Sequence, residues 1–222
     1  MKSLLICFDV DGTLIDDTVF IWQTIHEKIN TDKNERDFWS AEYWNKRITY
    51  DEWARKDVEM WIKMGATRTS LKSTISDLKP MKGAFDTLNI LKKSGHQLGV
   101  ISGSLDIAFD KAFPNNEKLF DCIYLNKLQF DSEGYLKGIQ STPFDIEHKA
   151  TGLKKMAEEN NFEMKNTVFI GDNFNDVEVA KIAGCSIAFN CKSDQLARVS
   201  DYVIEKKDLR EIIPIIHKFA IS

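Results

Sequence analysis

The run Leu4-Leu5-Ile6-Cys7-Phe8 is apolar without a break and stops at Asp9. A strand with one face in water alternates apolar and polar residues, whereas an unbroken run marks a strand covered on both faces. Such strands lie inside parallel sheets flanked by helices, so the start of the chain already points to an α/β plan. The next stretch works against stability. FDVDGTLIDD, from Phe8 to Asp17, holds Asp9, Asp11, Asp16 and Asp17. Like charges held close repel, so this cluster destabilises the chain unless a cation or a reaction needs it.

Residues 16–79 follow a different pattern. They contain all five tryptophans, Trp22, Trp39, Trp44, Trp53 and Trp61, and few β-branched runs. Apolar positions such as Trp53, Met60, Trp61 and Met64 recur at helical spacing, which predicts a mostly helical insert. Its eleven Lys/Arg against twelve Asp/Glu make it no clamp for polyanions. From Pro80 the chain alternates. A helix with Phe85, Leu88 and Leu91 on one face ends at Gly95, and a strand, HQLGVIS, follows. LDIAFDKAF reads as a helix and FDCIYLN as a strand. KLQFDSEGYLKGIQ reads as a hairpin about DSEG, and DIEHKATGLKKMAEENN as a helix. NTVFIGD, DVEVAKIAG and CSIAFN continue as strand, helix and strand. The tail gives a short strand and a helix in which Pro214 marks a bend or an early turn. The expected fold is a doubly wound, mostly parallel α/β sheet. Its core spans 1–15 and 80–222, with a helical insert over 16–79.

The 222 residues suffice for one core with a small insert. A net charge of −4 and no basic patch argue against a nucleic-acid or anionic-membrane binder. No segment approaches the roughly 18 apolar residues of a membrane helix. Cys7, Cys122, Cys185 and Cys191 are widely spaced with no CxxC, and read as reduced, mostly buried thiols of a cytoplasmic protein.

In doubly wound sheets, ligands bind beyond the carboxyl ends of the strands. Three such ends carry distinctive residues. At the first, Asp9 suits a carboxylate nucleophile and Asp11 a general acid and base beside it, with Gly12 allowing a sharp turn. A calcium loop fails on spacing, because the positions requiring Gly and Glu hold Leu14 and Phe20. At the second, Ser102-Gly103-Ser104 offers a hydroxyl and backbone N–H groups before a helix, a weak anion-site signal. At the third, GDNFND loads Asp172 and Asp176 with Asn175 between them; Asp9 and Asp172 from separate strands fit a hard cation such as Mg2+, with Asp176 holding a water or the shell behind. Taken alone, each has a bland reading as a turn or a helix cap, and Lys149 in EHKATGLKK reads as a surface lysine.

Taken together, DxDGT, the Ser-Gly, Lys149 and GDxxND resemble the haloacid dehalogenase superfamily of aspartate-nucleophile phosphohydrolases. The insert resembles that family's small helical cap. Within the superfamily, the hairpin, Lys149 beyond it, GDNFND and the tail EKKDLREI are similar to the phosphoserine phosphatases. The resemblance implies that Asp9 attacks phosphorus, and that Asp11 protonates the leaving alcohol and then activates water. It implies Mg2+ held by Asp9, the main-chain carbonyl of Asp11 and Asp172, with Asp176 behind. It assigns the phosphoryl oxygens to Ser102, Gly103 and Lys149, supported by Asn175. The substrate is then a small phosphorylated metabolite.

The chain departs from that subgroup where it reads the amino acid. The position matching its Glu after the first motif holds Thr18, beside Asp17. The position matching its cap Arg holds Asp57, with Arg55 two residues before it. Asp17 and Arg55 are therefore the candidate specificity residues. The tryptophans read as core of the insert, or in part as a pocket wall for a cationic substrate such as phosphoethanolamine or phosphocholine. A phosphomutase and a non-catalytic binding protein on the same fold stay open as alternatives.

Overall fold

The computed structural model describes residues 2–18 and 20–222. β1 (Leu5–Phe8) is followed by four helices, α1 (Ile21–Ile29), α2 (Lys33–Trp44), α3 (Tyr50–Lys63) and α4 (Arg68–Thr74). The chain then runs through α5 (Ala84–Lys93), β2 (Gln97–Leu105), α6 (Asp106–Ala112), β3 (Cys122–Phe130) and β4 (Leu136–Gln140). It continues with α7 (Lys149–Glu159), β5 (Thr167–Gly171), α8 (Val177–Ile182) and β6 (Cys185–Phe189). It closes with α9 (Asp194–Val199), β7 (Tyr202–Ile204) and α10 (Ile213–Ile221), with Pro214 in the first turn of the last helix.

Among the described residues, seven strands form one sheet in the order β4-β3-β2-β1-β5-β6-β7. Every pairing is parallel except β3 with β4. β1 sits at the centre, and all four of its residues are fully buried, as its unbroken apolar run requires. Burial of each such side chain is worth about 1.5–3 kcal/mol. Phe8 pairs with Val100 on one side and Ile170 on the other. That register delivers Asp9, Ser102 and Asp172 to the same edge. The strand order reverses at β1, so this edge is also the switch point where a crevice opens.

Local signals start the helices between β1 and β2. Asp32 caps α2, and Thr49 with Glu52 forms a capping box on α3. α1 has no cap of this kind. Its Ile21 N–H donates instead to Asp11 Oδ2 at 2.7 Å, so a site carboxylate closes the helix start. The hairpin docks on these helices: Leu136 N–H donates to Ala66 O at 3.0 Å, and Arg68 lies 4.2 Å from the Phe130 ring centre.

Several expectations shift. Ser102-Gly103-Ser104 lies inside β2, not beyond its end, in the segment where the pairing with β3 slips register. The strand and hairpin read separately at 120–140 share one strand, β3. It pairs in parallel with β2 in its first half and antiparallel with β4 in its second. The helix expected from Asp145 begins only at Lys149, after a turn. Phe85 and Met64 are exposed, at 42% and 53%. All four cysteines are free; Cys7 and Cys185 are buried, and Cys122 and Cys191 are half-buried. Among the described residues no helix is long and apolar enough to cross a membrane.

Candidate active site

Asp9 leaves β1 with its N–H bonded to Ile170 O at 2.9 Å, and is 4% exposed. The chain then turns sharply. Gly12 has φ of +81°, and a Cβ there would stand 2.2 Å from Asp172 Oδ2 and 2.5 Å from Lys192 Nζ. Both the left-handed backbone and the close approach therefore require glycine. The turn sends Asp11 to its own partners: Ser104 Oγ donates to its Oδ1 at 2.7 Å, and the Ile21 N–H holds Oδ2. Burial, with the nearby Asp9 charge, pushes the Asp11 carboxyl up to about 7 against those two hydrogen bonds. A carboxyl of that kind is suited to both giving and taking a proton near neutrality.

Lys149 is the first residue of α7 and is only 2% exposed. A buried ammonium is rare without partners. Here it donates to Asp9 Oδ1 at 2.5 Å and Asp176 Oδ1 at 2.6 Å. Burial alone would depress it, but Asp176, Asp9 and Asp145 outweigh that and hold it above the ordinary lysine range. Asp176 uses its other oxygen to accept from the N–H groups of Asp172 and Asn173, at 2.9 and 3.2 Å. Asp172 accepts from Lys192 Nζ at 2.7 Å.

Carboxylate oxygens of Asp9, Asp172 and Asp176 all lie within 4.8 Å of one another, and all three residues are buried. Burial raises the carboxyls of Asp172 and Asp176 and the Asp9 charge adds to it, while Lys192 and Lys149 work against. Three hard oxygen donors crowded in a dry site match a hard divalent cation.

The phosphate-binding candidates converge on this triad. Ser102, Gly103 and Asn175 line a small cavity of about 30 Å³ together with Asp9, Asp11 and Asp172. Asn175 Oδ1 is buried and has no partner. The Gly103 carbonyl is held by Trp22 Nε1 at 2.8 Å and Asn126 Nδ2 at 2.7 Å. A second cavity of about 270 Å³ adjoins the first, and the two share Phe20, Trp22 and Asp145. Trp44, Trp53, Tyr50, Asp57 and Arg36 also line the larger one.

Asp57, which the sequence places at the expected cap arginine, is thus on the wall of the larger cavity. Asp17 and Arg55 are not. Asp17 is paired with Lys207 at 2.6 Å on the surface, its side chain 87% exposed. Arg55 pairs with Asp51 at 2.8 Å and lines a separate depression against β4. Thr18 is buried, and its hydroxyl donates to Asp16 O at 3.3 Å. Trp61 is fully buried, as core of the insert should be, whereas Trp22, Trp44 and Trp53 face the cavity.

Sequence reasoning missed Asp145 and Lys192. The Asp145 carboxylate lies over Gly103, where an added Cβ would come within 1.9 Å of it. Asn175 Nδ2 donates to it at 3.4 Å. Burial raises its carboxyl, and the Lys149 charge offsets part of that. The turn before α7 puts it there; a continuous helix from residue 145 would not.

The haloacid dehalogenase-like hydrolase family matches residues 4–184. The phosphoserine phosphatase of Methanocaldococcus jannaschii is 30% identical over 96% of this chain and 97% of its own length. That of Lactococcus lactis is 28% identical over 99% of this chain and 97% of its own. Among solved structures, a phospho-aspartyl intermediate analogue of phosphoserine phosphatase superposes with a TM-score of 0.75 at 30% identity, covering 97% of this chain and 100% of that one. A substrate-bound phosphoserine phosphatase complex gives 0.76 at 28%, covering 97% and 99%.

Proposed function

The chain belongs to the haloacid dehalogenase-like hydrolases and is a phosphomonoester hydrolase of the phosphoserine phosphatase-like type, and on that premise we propose how its own residues carry the reaction. One observation carries the proposal. The buried Lys149 ammonium ties Asp9 to Asp176 beside Ser102 and Gly103, while Asp11 stands apart on Ser104 and the Ile21 N–H.

Asp9 is the nucleophile. Its carboxylate oxygen bonds to phosphorus, the bond from phosphorus to the ester oxygen breaks, and the leaving alcohol takes a proton from Asp11. Asp11 then removes a proton from water as the water oxygen bonds to phosphorus. The bond to Asp9 breaks and orthophosphate leaves. Lys149, the Ser102 hydroxyl, the Gly103 N–H and the Asn175 side chain hold the phosphoryl oxygens.

The acidic triad fits a metal, and we take it to be Mg2+. Asp9 and Asp172, with the main-chain carbonyl of Asp11, would hold it, and Asp176 stands behind them. When bound, the ion offsets the charge that a carboxylate and a phosphate bring together. We further propose that residues 16–79 act as a cap over a core of 1–15 and 80–222. The four free thiols agree with work in the reducing cytoplasm.

Purified protein with Mg2+ should hydrolyse p-nitrophenyl phosphate, and Asp9→Asn should not. Unchanged turnover in the variant would rule out Asp9 as nucleophile.

A further inference from the structure

The alcohol half of the substrate must leave the small cavity through the larger one, because the two adjoin at Trp22, Phe20 and Asp145. The chemistry of that larger cavity therefore selects the alcohol. Its walls are aromatic: Trp22, Trp44, Trp53 and Tyr50. Aromatic faces attract cations and do nothing for anions.

Its charges point the same way. Asp57 and Asp145 line it from opposite parts of the chain, against one guanidinium among the described residues, that of Arg36. Asp57 is 3% exposed and its Oδ1 has no hydrogen-bond partner. His26 Nε2 stands 3.4 Å from that oxygen. Trp61 Nε1–H donates to His26 Nδ1 at 3.2 Å, and an indole nitrogen can only donate. Nδ1 also lies 2.7 Å from the Thr31 hydroxyl, so the imidazole is tied to side chains of its own neighbourhood. Lys149 is already committed to Asp9 and Asp176. Two carboxylates on an aromatic wall favour a cationic group over an anionic one in that cavity. Asp145 adds a second carboxylate beside Gly103.

We propose that the substrate is a phosphorylated amino alcohol, of ethanolamine to choline size, whose cationic amine sits between Asp145, Asp57 and the tryptophans and which carries no carboxylate. This rests on the phosphomonoesterase reading above and adds the leaving group to it. A carboxylate such as that of phosphoserine has Arg36 to meet, but must also face two carboxylates.

The test is kcat/KM with Mg2+ for phosphoethanolamine, phosphocholine, L-phosphoserine and glycerol phosphate. At least one of the two amino-alcohol esters should exceed both others by about tenfold, the scale of a desolvated cation–π contact with a carboxylate. In Asp145→Asn and in Trp44→Ala, the ratio of that ester to glycerol phosphate should fall about fivefold or more. Trp44 is 52% exposed, so its removal leaves a folded protein to measure even if Asp145→Asn does not fold. A preference for L-phosphoserine, no preference for the amino-alcohol esters, or an unchanged ratio in the folded variants overturns the proposal. Hydrolysis of p-nitrophenyl phosphate without that preference overturns this inference alone. No hydrolysis of any ester overturns the phosphatase reading on which it stands.

Discussion

The indole Nε1 of Trp22 donates to the carbonyl oxygen of Gly103 at 2.8 Å, so helix α1 is bonded directly to strand β2. Asn126 shares the same oxygen, and Trp22 packs on Trp61 with ring centres 5.3 Å apart. Trp22→Phe keeps the packing and removes the donor. A hydrogen bond of this kind is worth about 0.5–1.5 kcal/mol. We expect kcat/KM to fall by about 2- to 10-fold and Tm by about 1–6 °C, measured by steady-state kinetics and thermal unfolding. A change in Tm alone would mean that the bond serves only the fold.

Lys149→Met tests the buried cation. The substitution keeps most of the side-chain volume and leaves Asp9 and Asp176 without their shared partner. Removing one charge that stabilises a transition state costs about 100- to 1000-fold in kcat. A loss of less than about threefold in kcat would make Lys149 a structural residue.

Much of this site is written in local sequence, and the parts that are not have identifiable reasons. The unbroken run into Asp9, the Gly12 turn and GDNFND each lie within a few residues, so pattern and spacing find them. Asp145 does not. It reads as the first turn of a helix, and its meaning comes only from the strand that brings Gly103 beneath it. Which tryptophans line the cavity is set by packing between helices, so Trp22 and Trp61, alike in sequence, end on different surfaces. Asp17 looked like a substrate contact because its partner, Lys207, lies far along the chain. Lys149 could be recognised only through its company, since a lone lysine on a helix carries no signal of burial.

Gly12→Ala should damage stability and metal binding together. Its φ of +81° costs a side-chain-bearing residue about 1–2 kcal/mol. The added Cβ would also press on Asp172 and Lys192. We expect Tm to fall by roughly 2–8 °C and the Mg2+ concentration for half-maximal activity to rise. Thermal unfolding and a Mg2+ titration of activity measure the two effects. Wild-type values for both would show that the turn tolerates a Cβ.

Asp208 gives a pH prediction away from the reaction. Arg210 donates to it through Nε at 2.9 Å and through Nη2 at 2.6 Å. Those bonds hold its carboxyl well below the ordinary aspartate range. A carboxyl depressed in the folded state contributes stability above its unfolded pKa and loses it as pH falls toward the folded value. The stability gap between wild type and Asp208→Asn should therefore be constant above about pH 5 and narrow below about pH 4. Denaturant unfolding across that range reads it. A gap that widens in acid would reverse the assigned sign.

The central claim is that the phosphoryl group passes through Asp9. Protein turning over p-nitrophenyl phosphate with Mg2+, quenched in acid and analysed by peptide mass spectrometry, addresses it most directly. We expect a phosphoryl increment on the peptide containing Asp9, and none in Asp9→Asn. Phosphorylation at another residue, or full turnover by Asp9→Asn, would contradict the account.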